Sequence, residues 1–236
     1  MTGMTHMRRG FFVTGTDTEI GKTAVTAGLA HALALTGRRV AALKPISAGQ
    51  DFIDGHWLND DVERLRAAGN LGLTSAEVGA LQMRTACAPH IAARIENEAI
   101  VREPVLHALR AVAFRADVTL VEGVGGFRVP LNDEWDTADL AVDLGLPVIL
   151  VVGLRLGCIN HALLTAEAVR ARGLTLAAWV ANTVDERQPH VTDNLQALQR
   201  GLQAPCLGHV PRLAHADHAT MARHLSLEPL LGHLPA

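Results

Sequence analysis

The sequence predicts a doubly wound α/β fold, a mainly parallel sheet with helices on both faces. Short runs rich in valine, isoleucine or leucine recur at residues 11–14, 39–43, 118–121, 147–152, 174–181 and 205–210, each of strand length. Helical patterns lie between runs. The runs are apolar on both faces, which suits strands covered on both sides, and a crossover between parallel strands must bring a helix back over the sheet. Ligands of such sheets bind beyond the carboxyl ends of the strands, so the residues just after each run are where chemistry is expected.

The first run, 11–14, leads into the loop GTDTEIGKT, which frames a phosphate site between strand and helix. Gly15 and Gly21 let backbone N–H groups turn toward phosphate oxygens, the helix N-terminus adds its partial positive charge, and Lys22 can reach the terminal phosphates. Thr23 is then placed to offer a hydroxyl to Mg2+. Five residues separate Gly15 from Gly21 where four are usual in a P-loop. The helix expected over 22–36 aligns Val25, Leu29 and Leu33 on one face and stops at Gly37.

The second run ends at Lys44 and Pro45, which places a lysine at the same sheet edge, either as a cation for the reacting groups or as a solvated side chain. Residues 46–100 are the least regular, and SAGQDFIDGHWLND reads as a loop over the strand ends. Within it Asn59, Asp60 and Asp61 can cap a following helix, while Asp61 can also face a metal. The run 118–121 delivers Glu122 to the phosphate edge, with Gly123, Gly125 and Gly126 keeping the backbone open to a ligand. After 147–152 comes RLGCIN and a helix over 160–172 closed by Gly173; Asn160 reads by itself as an N-cap.

Composition bounds the function. The chain has 236 residues, 49% hydrophobic and 19% charged, enough for one folded α/β domain over 1–236. A net charge of -3 without blocks of like charge gives no broad footprint for nucleic acid or an anionic membrane, so neither is an expected partner. Cys87, Cys158 and Cys206 lack metal or disulfide spacing and suit a reducing compartment. The opening MTGMTHMRRG lacks the apolar core of a signal peptide, and a cytoplasmic location is expected. The histidines near the C-terminus, His209, His215, His218 and His224, read as surface residues.

With TDTEIGKT, Lys44-Pro45, EGVGG and LGCINHALLTAEAV on the page, the chain resembles the dethiobiotin synthetases over residues from about 11 to about 213. The resemblance implies a P-loop NTPase fold and closure of the ureido ring of dethiobiotin from 7,8-diaminopelargonic acid, CO2 and ATP. It implies a nucleotide set of Glu19, Ile20, Gly21, Lys22, Thr23, Ala24, Asp61, Glu122, Gly123, Val124, Gly125, Asn182, Thr183, Pro211, Arg212 and Leu213. Thr23, Asp61 and Glu122 would hold Mg2+, Asn182 would read adenine, and Lys22 and Lys44 would be catalytic, each removable with the fold intact. Ser47 and Ala48 would meet substrate, although the family's usual hydroxyl falls at the position of Ala48, and Val124 stands where a smaller alanine is usual.

Leu156, Gly157, Cys158, Ile159 and Asn160 would receive the substrate carboxylate across a twofold homodimer interface. Two rivals remain at this level. Another amide-forming ligase of the superfamily usually carries a glutaminase domain with a nucleophilic cysteine, for which the chain has no room. A partition-type switch ATPase carries an additional lysine where this chain has Asp17.

Overall fold

The computed structural model describes residues 9–234; the stretch 1–8, which holds most of the segment read as lacking a signal peptide, lies outside the described residues. In chain order the elements are β1 (Gly10–Gly15), α1 (Lys22–Ala34), β2 (Val40–Leu43), β3 (Ile46–Ala48), β4 (Asp51–Ile53), β5 (His56–Leu58), α2 (Asp60–Ala68), α3 (Ser75–Val78), β6 (Leu81–Met83), α4 (Pro89–Glu96) and α5 (Arg102–Ala113). They continue with β7 (Val118–Glu122), α6 (Thr137–Leu144), β8 (Val148–Leu154), α7 (Cys158–Ala171), β9 (Leu176–Thr183), α8 (Val191–Leu202), β10 (Cys206–Val210), α9 (His218–Ala222) and a 3-10 helix over Glu228–His233.

The six apolar runs form one six-stranded sheet in the order β10-β9-β8-β1-β7-β2, and every pairing in it is parallel. Burial explains the sequence pattern. Each residue of β1, β2, β7 and β8 is buried, so none of these strands shows polar alternation. The chain moves outward from β1 to β2 on one side, then crosses back through β7 to β8 on the other. The strand order therefore reverses around β1, and the crevice at its carboxyl end is where the phosphate loop emerges.

Helix α1 is buried on most sides, between the sheet, α2 and α9. Gly28 permits the contact with α9, because a Cβ there would lie 2.7 Å from Cβ of Met221. The helices expected over 22–36 and 160–172 run instead over Lys22–Ala34 and Cys158–Ala171. Asn59 caps α2 as its sequence context suggests, its side chain accepting from the Val62 N–H at 3.1 Å and donating to the Gly49 carbonyl at 2.6 Å.

The stretch read as a loop is more ordered than expected. It contains β3, which pairs with β6, and an antiparallel hairpin of β4 and β5. These strands have three residues each, too short to display a period. The hairpin signal was the dipeptide Asp54-Gly55, whose φ angles of 49° and 83° supply the left-handed pair that a tight two-residue turn requires.

Candidate functional site

The loop after β1 is anchored before any ligand is considered. The N–H of Thr16 donates to the Val151 carbonyl at 3.0 Å, which ties the loop to β8. The extra residue between the glycines is absorbed by Glu19, at φ 58°, and by Ile20, which turns inward until 1% exposed. Gly15 makes room for this. A Cβ at that position would lie 2.7 Å from Cδ1 of Ile20 and 2.9 Å from Cδ of Lys22.

The loop then presents α1. Lys22 is buried, and its Nζ donates to the Asp17 carbonyl at 2.8 Å, spanning the base of the loop. Burial lowers its pKa to about 8, against the opposing pull of Glu122. Thr23 Oγ1 donates to Glu122 Oε1 at 2.8 Å, and Lys44 Nζ donates to the same oxygen at 2.8 Å. Lys44 is also ion-paired with Asp61. Burial opposes the Lys44 ammonium, yet Glu122 and Asp61 outweigh it and raise its pKa, so Lys44 stays charged. Asp61 moves the opposite way: burial works against its charge, but Lys44 holds its carboxyl below the usual range.

Thus β1, β2, β7, α1 and α2 bring Lys22, Thr23, Lys44, Asp61 and Glu122 to one point. The donor chemistry fits a divalent cation. Glu122 is fully buried, and its second oxygen, Oε2, has no hydrogen-bond partner. An oxygen-lined position formed by two carboxylates and one hydroxyl suits Mg2+, which takes few protein ligands and completes its shell from water and phosphate.

A cavity of about 780 Å³ opens over this cluster, with Glu19, Gly21, Lys22, Thr23, Lys44, Asp61 and Glu122 in its lining. Ala48, Ala86, Ala88, Pro89, Val124 and Val129 add apolar surface to its lining, with Val129 Cγ2 lying 3.0 Å from where a Cβ on Gly125 would sit. Arg64 and Cys87 also line it, and the sequence reading missed both. A signal existed for Arg64, which lies one helical turn beyond Asp61 on α2 and so shares its face. Nothing in the pattern marks Cys87. Ser47 is buried with its hydroxyl unpartnered and does not line the cavity, whereas Ala48 does.

A smaller cavity, about 140 Å³, continues on the other side of the loop through Glu19, Gly21 and Ala24. Asn182, Thr183, Pro211, Arg212 and Leu213 line it, so the residues assigned to the base lie together. Asn182 Nδ2 donates to the Ile20 carbonyl at 2.8 Å, leaving its second N–H and its oxygen for a base edge. The Thr183 hydroxyl is 2.8 Å from Nε2 of His209, which is half-buried rather than a surface residue. Gly21 is held at φ 81°, and a Cβ there would fall 2.2 Å from Asn182 Nδ2. Gly21→Ala should therefore keep the fold but weaken ATP binding about tenfold, through left-handed strain and displacement of Asn182. Calorimetric titration of the variant with ATP checks this, and unchanged affinity would remove Gly21 from the account.

The segment 156–160 lies apart from both cavities. Gly157, at φ 91°, turns the chain into α7; Cys158 is buried as an anchor and Leu156 is 94% exposed. These residues do not reach the cluster of their own chain.

A family described as an AAA domain matches residues 9–220. The chain is 52% identical over 219 residues to the ATP-dependent dethiobiotin synthetase BioD of Aromatoleum aromaticum, covering 93% of this chain and 97% of that one. It is 51% identical over 220 residues to the protein of that name from Ralstonia nicotianae, covering 93% and 96%. Among solved structures, a ParA family ATPase from Chlorobium tepidum aligns with TM-score 0.53 at 14% identity, over 95% of this chain and 93% of that one. The MinD cell division protein of Aquifex aeolicus gives 0.52 at 14%, over 97% and 91%. Those two likenesses establish the doubly wound P-loop fold. Identity of one residue in two along nearly the whole length says more, and by it this chain belongs to the ATP-dependent dethiobiotin synthetases, a family of ligases.

Proposed function

We propose that the protein carboxylates 7,8-diaminopelargonic acid with CO2 and closes the ring to dethiobiotin, converting ATP to ADP and phosphate. The observation that carries this is the convergence of two lysines, two carboxylates and a hydroxyl beneath a cavity whose lining also includes Ala48, Ala86, Ala88, Pro89 and Val129. The polar groups suit a triphosphate and a carbamate. The apolar residues suit an aliphatic chain.

One amine of the substrate adds to CO2 and loses a proton, giving a carbamate. A carbamate oxygen then takes the γ-phosphoryl group as ADP leaves, and the second amine attacks the resulting mixed anhydride, expelling phosphate and closing the ring. The backbone of Glu19, Ile20, Gly21, Lys22 and Thr23 turns donors toward the phosphates, with Ala24 beside them. Lys22 and Lys44 stabilise the carbamate and the charge on the transferring group. Thr23, Asp61 and Glu122 would hold Mg2+, whose charge offsets that of the phosphates. Gly123, Val124 and Gly125 border the phosphates, and the smaller cavity takes the base. Ala48 faces the aliphatic portion, while Ser47, which does not line the cavity, is left out of the substrate contact.

The exposed placement of 156–160 supports a homodimer in which Leu156, Gly157, Ile159 and Asn160, seated on buried Cys158, complete the neighbour's site. The free N–H groups at the start of α7 suit a carboxylate. On this reading Lys22→Ala and Asn160→Ala chains, each inactive alone, recover about one working site per mixed dimer; no recovery with subunit exchange confirmed sinks the shared site. A single contiguous core supports one domain, and a cytoplasmic, small-molecule enzyme without nucleic-acid or membrane partners is the setting we infer. Among the described residues no helix is long and apolar enough to cross a membrane.

The test is phosphate release with Mg2+, ATP and bicarbonate, with and without the diamine, following dethiobiotin by mass. Diamine-dependent release with matching product is expected. ATP turnover indifferent to the diamine overturns the substrate.

A further inference from the structure

Asp17 puts a carboxylate into a loop otherwise built to attract anions, and the reaction described above gives that charge no task. Its surroundings do. Asp17 Oδ2 accepts from Arg155 Nη2, Oδ1 accepts from the Thr18 N–H at 2.8 Å, and the Asp17 backbone carbonyl accepts from Lys22 Nζ at 2.8 Å. Arg155 follows β8, whose Gly153 N–H donates to Thr16 Oγ1 at 3.4 Å. A Cβ on Gly153 would lie 2.5 Å from Cγ2 of Ile20, so the phosphate loop and the end of β8 are in close contact on either side of Asp17.

We propose that Arg155 is a positioning residue of the nucleotide site, acting through Asp17. By gripping the carboxylate it fixes the peptide whose carbonyl holds Lys22, and it cancels a negative charge that would otherwise meet the incoming phosphates. The side chains of Arg155 and Asp17 are 41% and 45% exposed, so the pair contributes little to stability. Its value is local, because Asp17 directly precedes Thr18 and Glu19 of the cavity lining, where one uncompensated charge acts on every approaching phosphate. The inference rests on the reading of this loop as a triphosphate site.

The two roles of Arg155, neutralising and holding, give an unusual pattern across four variants. Affinity for Mg2+-ATP is measured by displacement of a fluorescent ATP analogue, with melting temperature as the check on folding. Arg155→Gln strands the Asp17 carboxylate, and ATP binding should weaken roughly five- to tenfold, the deficit shrinking as salt rises. Arg155→Lys restores the charge and should stay within about twofold of the wild type. Asp17→Asn alone should change affinity less than Arg155→Gln. The double variant Asp17→Asn, Arg155→Gln should bind better than Arg155→Gln alone, because the repelling carboxylate has gone. Wild-type affinity in Arg155→Gln, or a double variant weaker than that single one, overturns the proposal. A wild-type protein that binds no ATP overturns the nucleotide reading itself, which the other outcomes leave standing.

Discussion

Lys44→Ala is expected to cut turnover by orders of magnitude and also to unsettle the fold. Loss of a positioned cation that stabilises transferring charge costs about 10²–10³ in kcat, and more where the cation also aligns the metal-binding carboxylates. The second effect follows from burial. Glu122 is 0% exposed, and Lys44 is paired with it at 2.8 Å. Removing one partner of a buried ion pair costs about 3–5 kcal/mol, or roughly 6–20 °C in Tm for a chain of this size. The expectation from sequence that Lys44 could be removed with the fold intact is therefore revised. Adding Glu122→Gln to Lys44→Ala should return much of the Tm and none of the activity. Thermal unfolding beside steady-state kinetics separates the two; a Lys44→Ala protein with wild-type Tm and turnover would take Lys44 out of both roles.

The difference between what was legible and what was not follows the range of the interactions. Strands such as β1 and β8 are buried along their whole length, so their apolar runs identify them without knowledge of their neighbours. The loop at 15–23 is equally local, since its glycines, Lys22 and Thr23 lie within nine consecutive positions. Once a parallel sheet is inferred, the residues just after each strand must fall at one edge, which is why Lys44 and Glu122 could be singled out, whereas Asn182 was marked only by the family resemblance. That Thr23 and Lys44 share one oxygen of Glu122 could not be read, because Lys44 and Glu122 are 78 residues apart and their meeting depends on β2 lying beside β7. Parity was hidden as well. Ser47 and Ala48 are adjacent on β3, and only the pairing of β3 with β6 decides which one faces the cavity. Arg64 is a different case: the capping pattern of Asn59 to Asp61 accounts for the start of α2 by itself, and Arg64 reaches the cavity only because it lies one helical turn beyond Asp61 on the same face.

Lys22→Met, in contrast to the change at Lys44, should remove activity and leave the protein at least as stable as the wild type at neutral pH. Lys22 is 6% exposed, and its hydrogen-bond partner is the neutral carbonyl of Asp17. Its charge is disfavoured by burial more than Glu122 favours it, so its pKa falls from 10.5 to about 8. The sign of the pH dependence follows. Between about 8 and 10.5 the unfolded chain still binds a proton that the folded one has released, so the wild type gains stability relative to Lys22→Met as pH rises through this window. A shift of this size corresponds to something on the order of 3 kcal/mol. ATP binding runs the other way. If Lys22 meets the phosphates as proposed, ATP affinity should fall by up to about tenfold per pH unit above about pH 8, where the free enzyme loses its ammonium. Bound phosphates favour the protonated amine, so kcat holds to higher pH than kcat/KM. Denaturant melts and ATP titrations of both proteins from pH 7 to 10 test this. Affinity that stays flat across the range, or a Lys22→Met protein several kcal/mol less stable at pH 7, would show that this lysine is held by favourable contacts and is not kept under strain for the triphosphate.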